Sequence, residues 1–145
     1  MKESVATTTQ SRVMGQPLEP RAVAIARAHA EAWTNHDYDT SRRMLAPGVL
    51  VTATSTIEGA PKTELKGVDD YMQGLIIFAD TVKPGSLKVT SAVGDDRNAL
   101  LTVTLKTDAP PFGSTTLHGA RLYLIDENYK IASEQVIFYF VPEEK

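Results

Sequence analysis

The sequence predicts an α+β fold in which helices pack on one face of a curved, mostly antiparallel sheet. Three observations predict it. Apolar residues recur at helical spacing in the first half, as in Ala22, Ile25, Ala26, Ala30 and Trp33, and again in Tyr71, Leu75 and Phe78. In the second half they alternate with polar residues, as in Ala99, Leu101, Val103 and Leu105. Short turn signals separate those alternating runs. Helices followed by consecutive strands on short turns place the helices on one side of an antiparallel sheet.

The elements follow in order. Residues 1–17 are polar and Thr-rich without periodicity, which predicts a disordered or loosely docked tail before a single domain over 18–145. Pro20 suits the first turn of a helix, because its missing N–H has no partner there. That helix runs to Thr34 with one apolar face. Asn35-His36-Asp37 break it, and Asp37 can cap a short second helix from Tyr38 to Leu45, which Ala46-Pro47-Gly48 end. A strand is expected from Val49 to Thr56, a loop from Ile57 to Lys66, and a third helix from Val68 to Val82, stopped by Lys83-Pro84-Gly85. Strands follow over Leu87–Val93 and Ala99–Leu105, with Asp95-Asp96 as the turn between them. A connection with Pro110-Pro111 leads to a strand over Ser114–Ile125, and Asp126-Glu127-Asn128 turn into a last strand over Lys130–Val141.

Composition excludes several classes of function. The 145 residues suffice for one core without a metal or disulfide. The chain has no cysteine, which rules out a disulfide framework, thiolate chemistry and Cys-ligated zinc. A net charge of −3 gives no basic footprint for nucleic acid. No apolar run reaches membrane-spanning length, and the first residues lack the apolar centre of a secretory signal. The expectation is a cytoplasmic protein.

Three segments resemble the SnoaL-like (nuclear transport factor 2-like) superfamily. The run AEAWTNHDYDTSRRMLAPGVLV is similar to its signature of an alanine-rich helix, a Trp, an Asn and a short helix with an Ala-Pro stop. GVDDYMQGL resembles its glycine-started third helix, and RLYLIDENYKIASEQVIFYF its last hairpin. The similarity covers about residues 20 to 140. It implies a cystatin-like α+β roll: a cone-shaped sheet wrapped around the helices, with a ligand pocket in the opening. It also implies a homodimer that pairs through the outer sheet face, where Thr102, Thr104 and Lys106 would lie. It says little about activity, since this superfamily hosts isomerases, dehydratases, cyclases, hydrolases and non-catalytic binding proteins.

The informative polar residues are those expected to face the cone. His29 shares a helix face with Ile25, Ala26 and Trp33, so it must find a partner or serve a ligand. By resemblance it stands where the ketosteroid isomerase branch has an oxyanion-binding tyrosine. Strand alternation puts Arg121, Tyr123 and Ile125 on one face, and Glu134, Val136 and Phe138 on one face of the next strand. By resemblance Arg121 stands where that branch has a protonated aspartate. It could hold an oxyanion or pair with Glu134. Trp33, Tyr71, Phe78, Tyr123, Val136 and Phe138 are the expected ligand-contacting wall. His118, three residues before Arg121, should face the other side of the sheet, and His36 should be solvated in a helix–helix turn.

The departures from the family are as informative. The isomerase base would fall at Ala53, which cannot take a proton. The strand that would carry an epoxide hydrolase Arg and Asp reads Leu100-Leu101-Thr102-Val103-Thr104-Leu105 and has neither, and that branch's last-strand Asp falls at Val136. No metal-ligand spacing, phosphate loop or nucleophile elbow is present. No metal or organic cofactor is therefore expected. Beside an assembly or interaction role through the outer sheet face, at residues such as Thr102, Thr104 and Lys106, two readings follow. One is a pocket protein for a small apolar metabolite, polyketide- or polyene-like, of the kind found in natural-product (for example enediyne) clusters. The other is a cyclase, isomerase or dehydratase with His29 as acid or base, Arg121 on an oxyanion and Glu134 orienting one of them.

Overall fold

A computed structural model describes residues 19–55 and 63–139. The expected tail at 1–17 lies outside the described residues. Helix α1 (Arg21–Thr34) starts directly after Pro20 and buries Ala22, Val23, Ala26, His29, Ala30 and Trp33. It has no side-chain cap. Its first free N–H groups are taken by a distant turn instead: Arg21 N–H donates to Asp96 Oδ1 at 3.3 Å and Ala22 N–H to the Asp95 carbonyl at 3.1 Å. Helix α2 (Tyr38–Arg43) is capped by Asp37, as its sequence requires, through a bond from Thr40 N–H.

Strand β1 (Leu45–Ser55) begins earlier than expected, and α2 is correspondingly shorter. Leu45 already pairs with Ile131, and the register then shifts before Leu50. Pro47 lies inside that irregular stretch, where its missing donor breaks no ladder bond. The expected loop over Ile57–Lys66 is corrected at its end. Thr63–Lys66 form strand β2, antiparallel to β1 with Leu65 opposite Val51. Helix α3 (Val68–Ala79) starts after Gly67, whose φ of 90° favours glycine. It stops short of Val82. Thr81 turns its hydroxyl back to the Phe78 carbonyl, its own carbonyl accepts Asp108 N–H, and Val82 bridges Thr107.

Strands β3 (Lys88–Gly94), β4 (Asn98–Ala109), β5 (Gly113–Ile125) and β6 (Ile131–Tyr139) complete the described elements. The β4–β5 connection is shorter than expected, because the pairing runs on to Ala109 and Gly113. The strand order is β2-β1-β6-β5-β4-β3. All neighbours are antiparallel except β1 and β6, which are parallel. The result is the expected α+β fold, a curved sheet with its helices on one face. Helix α1 packs over β3, β4 and β5, and α3 over β1 and β2. The core fills the space between them and includes Trp33, Leu101, Leu105, Tyr123 and Ile131. No helix among the described residues is long and apolar enough to cross a membrane.

His36 is not the solvated turn residue its position suggests. Its Nε2–H lies 2.9 Å from the Ala79 carbonyl and 3.0 Å from that of Val82. Its ring stacks on Tyr38, whose hydroxyl donates to Asp80 at 2.7 Å. The α1–α2 turn is thereby tied to the end of α3, where carbonyls without helical partners need donors.

Candidate functional site

A chamber of about 250 Å³ opens between α3 and the β1, β2 and β6 side of the sheet. Strand alternation selects its wall. Val51 and Ala53 come from β1, Leu65 from β2, and Glu134, Val136 and Phe138 from β6. The pairs Val51–Glu134 and Ala53–Val136 are direct neighbours across the parallel ladder. Helix α3 adds Tyr71, Gly74, Leu75 and Phe78. Arg121 reaches the chamber from β5, and Thr54 and Thr63 add hydroxyls.

The charged part of the wall is one buried network. Arg121 sits opposite Val136, and Tyr123 opposite Glu134, so Arg121 meets Glu134 on the diagonal. The long side chain spans it: Arg121 Nη1 donates to Glu134 Oε2 at 2.5 Å. Tyr71 donates its hydroxyl to Glu134 Oε1, so each carboxylate oxygen has a donor. The guanidinium lies over the Trp33 ring at 4.6 Å and near the Phe138 ring at 5.7 Å. Both charged side chains are almost wholly buried, at 3% and 1% exposure. Burial alone would raise the Glu134 carboxyl. The Arg121 charge and the bonds from Tyr71 and Arg121 outweigh it and hold the group below its usual range. Burial, reinforced by Glu134, pushes the Tyr71 and Tyr123 phenols well up, so both stay neutral.

The structure divides the sequence-derived candidates into two layers. Arg121, Glu134, Tyr71, Phe78, Val136 and Phe138 line the chamber. His29, Trp33 and Tyr123 lie behind them, fully buried and absent from its wall. His29 Nε2 is bonded to Ser41 Oγ at 2.9 Å, and its ring meets the edges of Tyr71 and Tyr123 at 6.0 and 6.3 Å. Burial, the largest influence, lowers its pKa to about 4; Glu134 opposes this and Arg121 adds to it. His29 is therefore neutral near pH 7. Its Nδ1, Trp33 Nε1, Arg121 Nε and the Tyr123 hydroxyl make no hydrogen bond within the described protein atoms. Ala53 faces the chamber.

His118 lies on the opposite face of the sheet from Arg121, stacked on Tyr139 at 5.5 Å. Sequence reasoning missed Leu65, because β2 was read as loop, and Gly74. A glycine inside an apolar helix is the signal that could have found it: a Cβ there would lie 2.6 Å from Leu65 Cδ1. Nothing in the sequence marked Ser41 as the partner of His29.

No protein-family model and no curated protein matches the chain. Solved structures do. A protein from Kribbella flavida DSM 17836 is 25% identical, with 80% of this chain and 84% of that one covered and a TM-score of 0.66. A protein from Shewanella denitrificans OS-217, named as a SnoaL-like polyketide cyclase, is 14% identical, with 83% and 91% covered and a TM-score of 0.67. Another Kribbella flavida DSM 17836 protein, named as a ketosteroid isomerase, is 18% identical, with 86% and 82% covered and a TM-score of 0.62. With its curved sheet, its helices on one face and its chamber between them, the chain has the SnoaL-like, nuclear transport factor 2-like fold.

Proposed function

We propose that this protein binds one small, mostly apolar molecule of polyketide or polyene type in the chamber, in the setting of secondary-metabolite biosynthesis. The observation that carries the reading is the wall itself. Val51, Ala53, Leu65, Leu75, Phe78, Val136 and Phe138 line the chamber together with the hydrogen-bonded pair Arg121–Glu134. Small-molecule sites have this composition, an apolar surface with few polar anchors. The similarity in fold to a protein named as a SnoaL-like polyketide cyclase supports the same class of ligand. Native mass spectrometry of the protein from its producing cells tests it. The expected result is a co-purifying small molecule that is lost when Phe78 or Val136 is replaced by Asp. A ligand-free protein that also fails to take up apolar compounds would sink the reading.

The catalytic alternative, a cyclase, isomerase or dehydratase, has less support. His29 as acid or base is fully buried outside the chamber wall, and Ala53 offers no base. We also propose that the protein pairs with a second copy through the outer sheet face. Leu100 and Leu122 are direct cross-strand neighbours there, Val93 flanks Leu100, and Leu124 and Ile137 extend the patch. These residues are 40–60% exposed, and a contiguous exposed apolar patch marks an interaction surface.

A further inference from the structure

We infer that the chamber selects neutral ligands bearing a hydroxyl head over anionic ones, because among its described lining residues the one cation is already matched by the one anion. The inference rests on the binding reading above and deepens it. Among the described lining residues Arg121 is the sole cation and Glu134 the sole anion. Their ion pair is closed at 2.5 Å. A ligand carboxylate would bring a second negative charge beside Glu134, with no free counter-charge among the described lining residues to meet it. Burying an unpaired charge in an apolar site is strongly unfavourable. His29 cannot supply the missing charge near neutral pH, since burial keeps it neutral.

The same network can still serve a neutral polar head. Arg121 Nη1 is used by Glu134 and Nε is sealed inside the protein. Nη2 makes no hydrogen bond among the described residues, which leaves it as the donor for the chamber. Glu134 accepts one bond on each oxygen, from Tyr71 and from Arg121. A carboxylate can accept more than two, so an acceptor site remains. An alcohol or phenol both accepts and donates, and can satisfy both groups at once. A hydrocarbon satisfies neither, and leaving buried polar groups unmatched costs affinity. The chamber of about 250 Å³ is at the small end for ligand sites, so the matching molecule has one or two rings in contact with the wall.

Calorimetric titration at pH 7 with three two-ring probes tests the inference: 2-naphthol, 2-naphthoate and 2-methylnaphthalene. The expected order places 2-naphthol first, with 2-naphthoate weaker by about tenfold or more. Binding of 2-naphthoate as tight as that of 2-naphthol overturns the charge selection. Tighter binding of 2-methylnaphthalene than of 2-naphthol overturns the hydroxyl preference. In both cases the binding reading stands. Failure of all three to bind counts against that reading and takes this inference with it. Glu134→Gln removes the anion and should raise 2-naphthoate affinity by about tenfold; no gain in a folded variant contradicts the account. If that variant does not fold, the order measured on the unaltered protein decides alone.

Discussion

Glu134 holds two donors at full burial, and the cost of disturbing it depends on which partner is removed. Glu134→Ala leaves the Arg121 charge buried without its partner, which should destabilise the protein by about 3–5 kcal/mol. Replacing both residues together, Arg121→Met with Glu134→Leu, should cost much less than the sum of the single changes, because the desolvation of both charges vanishes with them. Urea titration of the two single variants and the double variant measures this. Additive losses would show that the two side chains stabilise the core independently.

His29 gives a second prediction at this scale. Its pKa falls from the ordinary 6.5 to about 4 in the folded protein. A depressed folded pKa means that the unfolded chain binds the proton more readily. The contribution of neutral His29 is therefore complete above pH 6.5 and is lost as the pH falls toward 4. The loss amounts to roughly 3 kcal/mol by the bottom of that window. Melting temperatures from pH 7.5 to 4 should drop, and His29→Gln should flatten the part of the curve above pH 5. An unchanged slope in that variant would place the acid sensitivity elsewhere. At Gly74, an added methyl would meet Leu65 Cδ1. Leu65 is flexible at that end and can yield only by turning. Gly74→Ala should therefore keep or slightly raise stability, by up to about 1 kcal/mol through helix propensity, while weakening binding of two-ring probes. Loss of stability with unchanged binding would refute this.

The elements show where sequence reasoning reached and where it stopped. Alternation placed Arg121, Tyr123, Glu134 and Val136 on the inner face and His118 on the outer, because a strand's period of two leaves no other choice once one face is buried. The bounds of α2, β1 and α3 were not readable, since tertiary pairing decided them. Leu45 joins Ile131 rather than extending a helix, and Val82 joins Thr107. The edge strand β2 has a single inward apolar residue, Leu65, and so no alternation to detect. His29 was assigned to the buried helix face, yet only packing reveals that it lies outside the chamber wall, edge-on to Tyr71. The His36 tie was equally hidden, because its partners are carbonyls at the far end of another helix. His36→Ala should loosen the end of α3 by about 1–3 kcal/mol. Hydrogen exchange should quicken at the amides of Asp80 and Val82, while β4 and β5 stay protected; uniform loss of protection would argue against a local tie.

For the molecule as a whole, the outer sheet face makes the strongest demand. Leu100, Leu122, Leu124 and Ile137 lie on three adjoining strands and leave their side chains toward solvent. Pairing of two such faces predicts a dimer in sedimentation equilibrium, and Leu122→Lys should shift it to monomer without altering the chamber. A monomer at high concentration for the unaltered protein would remove the proposal.

The parallel pairing of β1 with β6 has a consequence for synthesis. The first described strand lies beside the last, and the chamber wall is made where they meet, Val51 beside Glu134 and Ala53 beside Val136. Contacts between such distant parts of a chain form late, after the entropy of closing the intervening loop has been overcome. On the ribosome β1 must wait, with its inner edge bare, until β6 has left the exit tunnel. The helices and the β3–β4–β5 meander can assemble during that wait, whereas the ligand site cannot. The nascent chain therefore acquires its fold in stages and its binding capacity in one final step.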